Sequence, residues 1–404
     1  MNNKIITYKC GVCNSNLIKI INFKKIPIGD HYTKKKIKHT HYPLKLFLCN
    51  KCLCGQINCI IHPDKLYKSF TYKTKNSFGL VDHYKKLYKE ILSEVKIKKK
   101  DNVVEIGCND GSLISLFKKN YTAIGIDPAS KVLKHISKKK IFLINSYFNE
   151  TISKQINNKF GKAKVIICNN TIANIYNLKD FLKSVKKLLD KDGFFIFETG
   201  SFYKILNNYL FDTVYHEHIY YFSAKSLELL FLSNNMKLVK LKYINTKGGS
   251  YRGYVQHLNH KNAKKKINLV KAEGNYKAYL EYALNFKNKL KVYKFFIMKE
   301  FKNFKLNKYK IFGYGASVGT TTFLSYFNIS KKLSGLVDDN KEKINTISPI
   351  NNLKVFSLKY LSTQKKKIAF LIISWRYKKQ IIKKINKFFQ INNSIKIIRT
   401  FPNA

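Results

Sequence analysis

From Ser77 to about Ile97 the apolar positions fall at Leu80, Tyr84, Leu87, Ile91 and Val95, the beat of a helix with one buried face. At Asn102 that beat stops. The chain then reads Asn-Val-Val-Glu-Ile-Gly, a short apolar run suited to a strand covered on both sides, and Leu113, Ile114 and Leu116 begin a second helix. Strands at Ala123–Ile126, near Phe142, at Val165–Cys168 and at Phe194–Glu198, with a helix over Leu178–Leu189, predict a doubly wound α/β domain. Ser223 is placed to cap a helix from Ala224 to about Leu232, and β-like runs follow at Lys237–Ile244 and Ser250–Leu258. A lysine-rich stretch of helical period, His260–Asn307, connects to a smaller α/β pattern with strands at Lys310–Tyr314, Leu333–Val337, Lys367–Ile373 and Ile395–Ile398. The 404 residues therefore read as α/β: a small N-terminal unit (1–66), a central Rossmann-like unit (67–258) and a C-terminal Rossmann-like unit (259–404).

Charge and cysteine content change this picture in two places. A formal charge of +54 raises nucleic acid or an anionic membrane as a partner. Yet among 77 cationic residues only Arg252, Arg376 and Arg399 are arginine, leaving 77 − 3 = 74 lysines scattered along the chain. Proteins that read bases or clamp phosphates use the bidentate guanidinium, so the charge reads as a compositional bias on solvated surfaces, with no specific nucleic acid as partner. No apolar run reaches the roughly 18 residues needed to cross a bilayer, and the first residues lack a signal-peptide pattern. The expectation is a cytoplasmic protein with no membrane partner.

Six of the eight cysteines lie within the first 59 residues, a clustering that points to a metal. Cys10 with Cys13, and Cys49 with Cys52, are two C-x-x-C pairs able to close a tetrahedral zinc site. Cys54 can replace Cys52 as the fourth ligand, and Cys59 reads as a buried small hydrophobe. Four protein ligands leave no open position, so the Zn2+ would be structural.

Three glycine-bearing turns are candidate binding sites. The first is a Glu-x-Gly-x-x-x-Gly run from Glu105 through Gly107, Cys108 and Asn109 to Gly111, where backbone N–H groups and a helix start can meet a polar ligand. It lacks the third glycine of a dinucleotide fingerprint and favours S-adenosylmethionine. Asp127, 22 residues after Glu105, ends the next strand and can accept hydrogen bonds from both ribose hydroxyls. Asn169 and Asn170 end another strand at the edge where open α/β sheets bind ligands. The second turn, Gly-Gly-Ser-Tyr-Arg from Gly248 to Arg252, offers an arginine that can clamp a phosphate. The third, Gly313-Tyr314-Gly315-Ala316-Ser317, lies between strand and helix and suits the phosphates or sugar of a nucleotide.

Tyr215, His216, Glu217 and His218 stand side by side in an aromatic segment. Histidine titrates near neutrality, and tyrosine and glutamate can be tuned toward it, so the run reads as acid/base equipment. The plainer reading is a polar aromatic turn with satisfied core histidines. His216 is the weakest member, because alternation can aim it away from its neighbours.

The order of these motifs resembles the sugar C-methyltransferases, S-adenosylmethionine-dependent enzymes acting on nucleotide-linked deoxyketosugars. The likeness runs from about Cys10 to Pro402, through the paired cysteines, Tyr42-Pro43-Leu44, Glu-Ile-Gly-Cys-Asn-Asp-Gly-Ser, Gly-Ile-Asp-Pro-Ala, Tyr-His-Glu-His, Gly-Gly-Ser-Tyr-Arg and Gly-Tyr-Gly-Ala-Ser. It implies a zinc-binding N-terminal domain, a class I methyltransferase domain and a C-terminal Rossmann-like domain that helps hold the nucleotide sugar. On matching positions it implies Cys10, Cys13, Cys49 and Cys52 as zinc ligands, and Gly107, Asn109, Gly111 and Asp127 around the cofactor. It further implies Tyr215, Glu217 and His218 as the catalytic group, with Tyr72 over the substrate and cofactor pocket. Three positions depart from the family pattern. Asn174 stands where many relatives carry a histidine, Val318-Gly319-Thr320 replaces an Ala-Lys-Gly run, and Arg376 follows Trp375 where relatives have asparagine.

Methylating carbon requires a carbon nucleophile, made by removing a proton next to a ketone and holding the resulting enolate. In that reading His218 takes the proton, Tyr215 donates to the ketone oxygen or orients the sugar, and Glu217 orients a histidine or holds a sugar hydroxyl. The expected substrate is a dTDP-linked ketosugar and the expected assembly a monomer or dimer. Two alternatives stay open: O- or N-methylation of another small metabolite, and a zinc-containing nucleic-acid-binding protein.

Overall fold

Valine and isoleucine fill the run Asn102–Ile106, every residue of it is buried, and it forms an inner strand of a seven-stranded sheet. The computed structural model describes residues 4–68, 72–136, 140–260, 267–364, 366–389 and 395–398; Arg399 and Pro402 lie outside them. Across the sheet the order is Met236–Ile244, Ser250–His257, Leu189–Gly200, Ala163–Asn169, Asn102–Ile106, Thr122–Ile126 and Ile141–Ile144. The last five run parallel, Ser250–His257 runs against them, and Met236–Ile244, antiparallel to Ser250–His257, returns to the direction of the five. The helix Leu80–Glu94 buries Leu80, Tyr84, Leu87 and Ile91, the stripe its periodicity requires. Ser223 caps the helix Ala224–Leu232, its Oγ accepting from the Ser226 N–H at 3.0 Å.

One predicted helix does not form. After Gly111 the chain makes only a 3-10 turn, Ile114–Leu116. There the Leu116 and Phe117 N–H groups donate to the Leu113 and Ile114 carbonyls, three residues back, while the buried Glu105 carboxyl accepts the first-turn Ile114 N–H at 2.8 Å.

The N-terminal sheet borrows a strand from far downstream. Its order is Tyr220–Tyr221, Gly55–Ile57, His41–Cys49 and Leu17–Pro27, all antiparallel, with Tyr220 opposite Gln56 and Tyr221 opposite Gly55. Gly55 is required there: a Cβ would stand 2.7 Å from the Phe202 ring.

The C-terminal sheet is parallel, in the order Val355–Phe356, Gly335–Val337, Lys310–Tyr314, Ile368–Ile372 and Ile395–Ile398. The lysine-rich connector resolves into helices Asn268–Ala272 and Tyr276–Leu306, and its predicted part at 261–266 lies outside the described residues. The long helix does more than connect. Its Tyr279, Phe286, Leu290, Ile297 and Phe301 share one core with Phe23 and Leu44 of the N-terminal sheet and Ile311 and Leu371 of the C-terminal sheet. Ahead of it, buried Glu273 accepts from the hydroxyls of Tyr243, Tyr251 and Tyr279 and from the Ala224 N–H, which binds the spine to the central domain. Among the described residues no helix is long and apolar enough to cross a membrane.

Candidate active site

The two C-x-x-C pairs converge. The Sγ atoms of Cys10, Cys13, Cys49 and Cys52 lie within 4.8 Å of one another, with Cys10 to Cys52 at 3.5 Å and Cys13 to Cys49 at 3.4 Å. Zn–S bonds of about 2.3 Å in a tetrahedron place sulfurs roughly 3.8 Å apart, so the four thiols fit zinc with little adjustment. Cys54 points elsewhere, its Sγ donating to the Gly55 carbonyl at 3.2 Å, so Cys52 rather than Cys54 completes the cluster. Cys59 packs with Ile28, Tyr42, Ile61 and Leu66, as a small hydrophobe should.

At the C-terminal edge of the central sheet the glycine loop is held open by its own residues. Gly107 and Gly111 take left-handed φ of 75° and 73°, and a Cβ on Gly107 would lie 2.3 Å from Thr171 Oγ1. Asp127 faces the loop: Oδ2 accepts the Asn109 N–H at 2.9 Å, Oδ1 accepts the Ala129 N–H at 2.8 Å, and burial raises its pKa. Asn109 donates through Nδ2 to the Tyr72 carbonyl at 2.9 Å and accepts from the Thr74 N–H at 2.9 Å, pinning the segment that carries Tyr72. Glu105 and Cys108 are buried beneath the loop, where they support it. Asn170, at a left-handed φ of 53°, turns the chain away after its strand. Its neighbour Asn169 is buried with both amide atoms unpartnered, an unmet polar demand beside the loop that suits the amino-acid portion or ribose of S-adenosylmethionine.

The run Tyr215–His218 divides by side-chain direction. Tyr215 and His218 are partly exposed, whereas His216 and Glu217 are buried. Tyr215 Oη lies 3.1 Å from His218 Nε2, the two rings have centroids 4.3 Å apart, and His218 Nδ1 is 3.3 Å from the Thr213 carbonyl. A carbonyl can only accept, so Nδ1 carries the proton and the Nε2 lone pair accepts from the Tyr215 hydroxyl. Burial and then the charge of Lys247 lower the His218 pKa to about 3, keeping the imidazole neutral. Thr213, not Glu217, orients this histidine. Burial raises the Glu217 pKa to about 8, and Oε2 has no partner, so this carboxyl is protonated at neutral pH. His216 turns to the N-terminal sheet, within 3.3 Å of the Pro43 carbonyl. Asn174 presents a buried, unpartnered Oδ1 and bonds Tyr67, whose hydroxyl also donates to the Glu217 carbonyl at 3.1 Å. The Tyr72 hydroxyl lies 2.8 Å from Ser77 Oγ, and burial raises its pKa.

Other expected residues serve different ends. Arg252 is 4% exposed, and its donors go to Glu198 and Glu90, with His83 bridging to Glu198 at 2.9 Å. The expected phosphate clamp is thus a buried ion pair, because Glu198 lies directly opposite Arg252 on the neighbouring strand. Gly313 lies within a strand, where a Cβ would meet Ile373 at 2.7 Å, and the Tyr314 hydroxyl donates to Asp339 at 3.1 Å. Gly315, at φ 120°, and Ser317, whose N–H donates to Thr320 Oγ1 at 3.1 Å, do form the strand-to-helix turn. The pattern missed Thr213, Tyr67, Lys247 and Asp212. Lys247, beside a Gly-Gly turn at a left-handed φ of 52°, was the most findable of these.

A parallel sheet with one antiparallel strand next to its edge, a glycine loop after one strand and an acidic residue ending the next define the S-adenosylmethionine-dependent methyltransferase fold. Three family models match in succession: a zinc binding domain over residues 10–67, a methyltransferase domain over 81–241 and a C-methyltransferase C-terminal domain over 245–402. Together the three models mark the chain as similar to proteins that join a zinc binding domain, a methyltransferase domain and a C-methyltransferase C-terminal domain. It is 27% identical over 247 residues to the C-methyltransferase NovU of Streptomyces niveus, covering 60% of this chain and 59% of that protein. It is 29% identical over 149 residues to an uncharacterized protein of Methanocaldococcus jannaschii, covering 35% of this chain and 51% of the other. The chain thus spans somewhat more than half the length of each of these relatives. A solved magnesium protoporphyrin IX methyltransferase from Synechocystis with bound SAM is 13% identical, covers 44% of this chain and 79% of its own, and has a TM-score of 0.33, too low to carry an argument.

Proposed function

We propose that this protein transfers a methyl group from S-adenosylmethionine to a carbon next to the ketone of a nucleotide-linked deoxyketosugar, through an enolate. The observation that carries the reading is the Tyr215–His218 pair: a neutral imidazole whose unprotonated Nε2 accepts from a phenol at 3.1 Å, a donor that can turn to a substrate oxygen and leave Nε2 as the base. S-adenosylmethionine supplies an electrophilic methyl on sulfonium, so no acid or base is needed for the transfer itself. O- or N-methylation would call for less of this equipment.

His218 Nε2 takes the α-proton, with Nδ1–H held by Thr213 as positive charge develops on the ring. Tyr215 donates to the oxygen that becomes the enolate. Glu217, protonated because of its burial, is a proton source in the same segment, and it fills the need left by Asn174, whose amide has no useful acid or base. Gly107, Asn109, Gly111, Asp127 and Asn170 surround the cofactor, with Glu105 and Cys108 beneath, while Tyr72 covers the junction between cofactor and sugar. Gly315 and Ser317 line the turn offered to the nucleotide, a dTDP group in this reading. Cys10, Cys13, Cys49 and Cys52 hold a structural Zn2+. The protein works in the cytoplasm.

The test is incubation with a panel of nucleotide ketosugars and labelled S-adenosylmethionine, locating the methyl by mass spectrometry and NMR. A methyl on carbon is the expected result. A methyl on oxygen or nitrogen contradicts the proposal.

A further inference from the structure

The loop after the strand Ile368–Ile372 leaves the C-terminal domain and closes on the catalytic segment. Trp375 Nε1 donates to Asp212 Oδ2 at 2.9 Å, and the Trp375 ring lies against Gly248, where a Cβ would stand 3.0 Å from it. Tyr377 meets Phe78 edge-on, with ring centroids 6.4 Å apart. Between these anchors Arg376 is exposed, its guanidinium 5.2 Å from the Trp375 ring centroid.

Across the contact, Lys247 sits in a tight turn whose Gly249 N–H donates to the Thr246 carbonyl at 2.9 Å. Trp375 presses on the very next residue, Gly248, so the packing that places Arg376 also brings it to Lys247. The two cations feel each other: burial and then Arg376 lower the Lys247 pKa to about 8. Both charges reach His218, and that of Arg376 also reaches Tyr215. Asp212, which also feels the guanidinium, is buried and bound to the indole. Among the described residues neither cation forms a salt bridge, whereas Arg252 has two. Like charges held together repel, and an anion between them removes that cost.

We propose that Arg376 and Lys247 form an anion-binding pair at the mouth of the catalytic pocket and hold the diphosphate of the nucleotide-linked substrate. This rests on the nucleotide-sugar reading above and transfers the phosphate clamp from Arg252, whose donors are spent, to Arg376. The planar fork of the guanidinium suits two phosphate oxygens, and the lysine adds a point charge.

The test is calorimetry on the full chain with thymidine diphosphate, and with thymidine as the phosphate-free control. Arg376→Ala weakens thymidine diphosphate binding at least about tenfold, the effect of one lost charge-assisted bond. Arg376→Lys recovers part of the loss and Lys247→Met reproduces part of it, while thymidine binding, S-adenosylmethionine binding and Tm stay as in the parent. With the ketosugar substrate, Arg376→Ala raises KM more than it lowers kcat. Undiminished thymidine diphosphate binding in Arg376→Ala overturns this inference and leaves the nucleotide-sugar reading standing. A parent protein that binds neither thymidine diphosphate nor uridine diphosphate overturns both.

Discussion

The two sheets that frame the pocket are assembled in opposite ways. In the central sheet each parallel strand pairs with others of its own domain, and the loops at its edge organise themselves: Glu105 holds Ile114, and Asp127 holds Asn109 and Ala129. The N-terminal sheet is completed from outside, by Tyr220–Tyr221, a strand 220 − 57 = 163 residues beyond the end of its partner Gly55–Ile57. Around it the Ile57 N–H donates to the Ile219 carbonyl at 3.0 Å, Tyr67 to the Glu217 carbonyl at 3.1 Å, and Ser223 Oγ to the Cys52 carbonyl at 3.2 Å. The cofactor end of the pocket is therefore local and self-supporting. The Tyr215–His218 end is tied to the cysteine-bearing domain, so a metal held by the four cysteines would bear on the proposed catalytic pair through the fold.

Removing the metal site separates the two regions most sharply. A Cys10→Ser, Cys52→Ser protein is expected to lose methyl transfer altogether and to melt at lower temperature, because displacement of a catalytic group by about 1 Å alone costs about 100-fold. Its affinity for S-adenosylmethionine, measured by calorimetry, should survive; loss of both together breaks the distinction. Next in size, His218→Ala should lower kcat roughly 100- to 10,000-fold, the range for a lost general base, with cofactor binding intact. Asp127→Ala acts on the other region. It should weaken S-adenosylmethionine about tenfold, since a charged hydrogen-bond acceptor is lost, while leaving kcat at saturating cofactor nearly unchanged.

The smallest effect concerns Glu217. Burial raises its folded pKa to about 8 from the ordinary 4.5, so the folded state binds this proton more tightly than the unfolded chain does. The associated stability is full below about pH 4.5 and is lost as pH rises through about 8. Activity that depends on the protonated carboxyl should fall over the same upper limb. Glu217→Gln, which cannot titrate, should flatten the loss of Tm between pH 4.5 and about 8, the window in which the folded carboxyl holds a proton that the unfolded one has released. An unchanged pH dependence of Tm in that variant assigns the titration to another group.

The central domain was legible because short buried strands and glycine turns are written locally. Leu80–Glu94 and Asn102–Ile106 fall inside their predicted spans, and the paired cysteines meet as their spacing implied. What could not be read depended on partners distant in sequence. Nothing near Arg252 announces Glu90, 162 residues away, so its clamp role failed. The helix expected after Gly111 closes instead as a 3-10 turn, its bonds running from Leu116 to Leu113 and from Phe117 to Ile114. The lysines of Tyr276–Leu306 suggested a solvated connector, while the buried aromatic face beneath them makes it a spine of the core. Within Tyr215–His218 the side-chain directions were not legible in the sequence. The partly exposed Tyr215 and His218 separate from the buried His216 and Glu217 only because Tyr220–Tyr221 joins the N-terminal sheet.

The central claim is that the Tyr215–His218 pair makes an enolate, and proton exchange tests it without methyl transfer. The ketosugar substrate is incubated in D2O with S-adenosylhomocysteine in place of the methyl donor, and the α-proton is followed by NMR. The parent protein should wash deuterium into that carbon, and His218→Ala should do so at least about 100-fold more slowly. Exchange at the same rate in both, or no exchange in a parent protein that still methylates the sugar, contradicts the account.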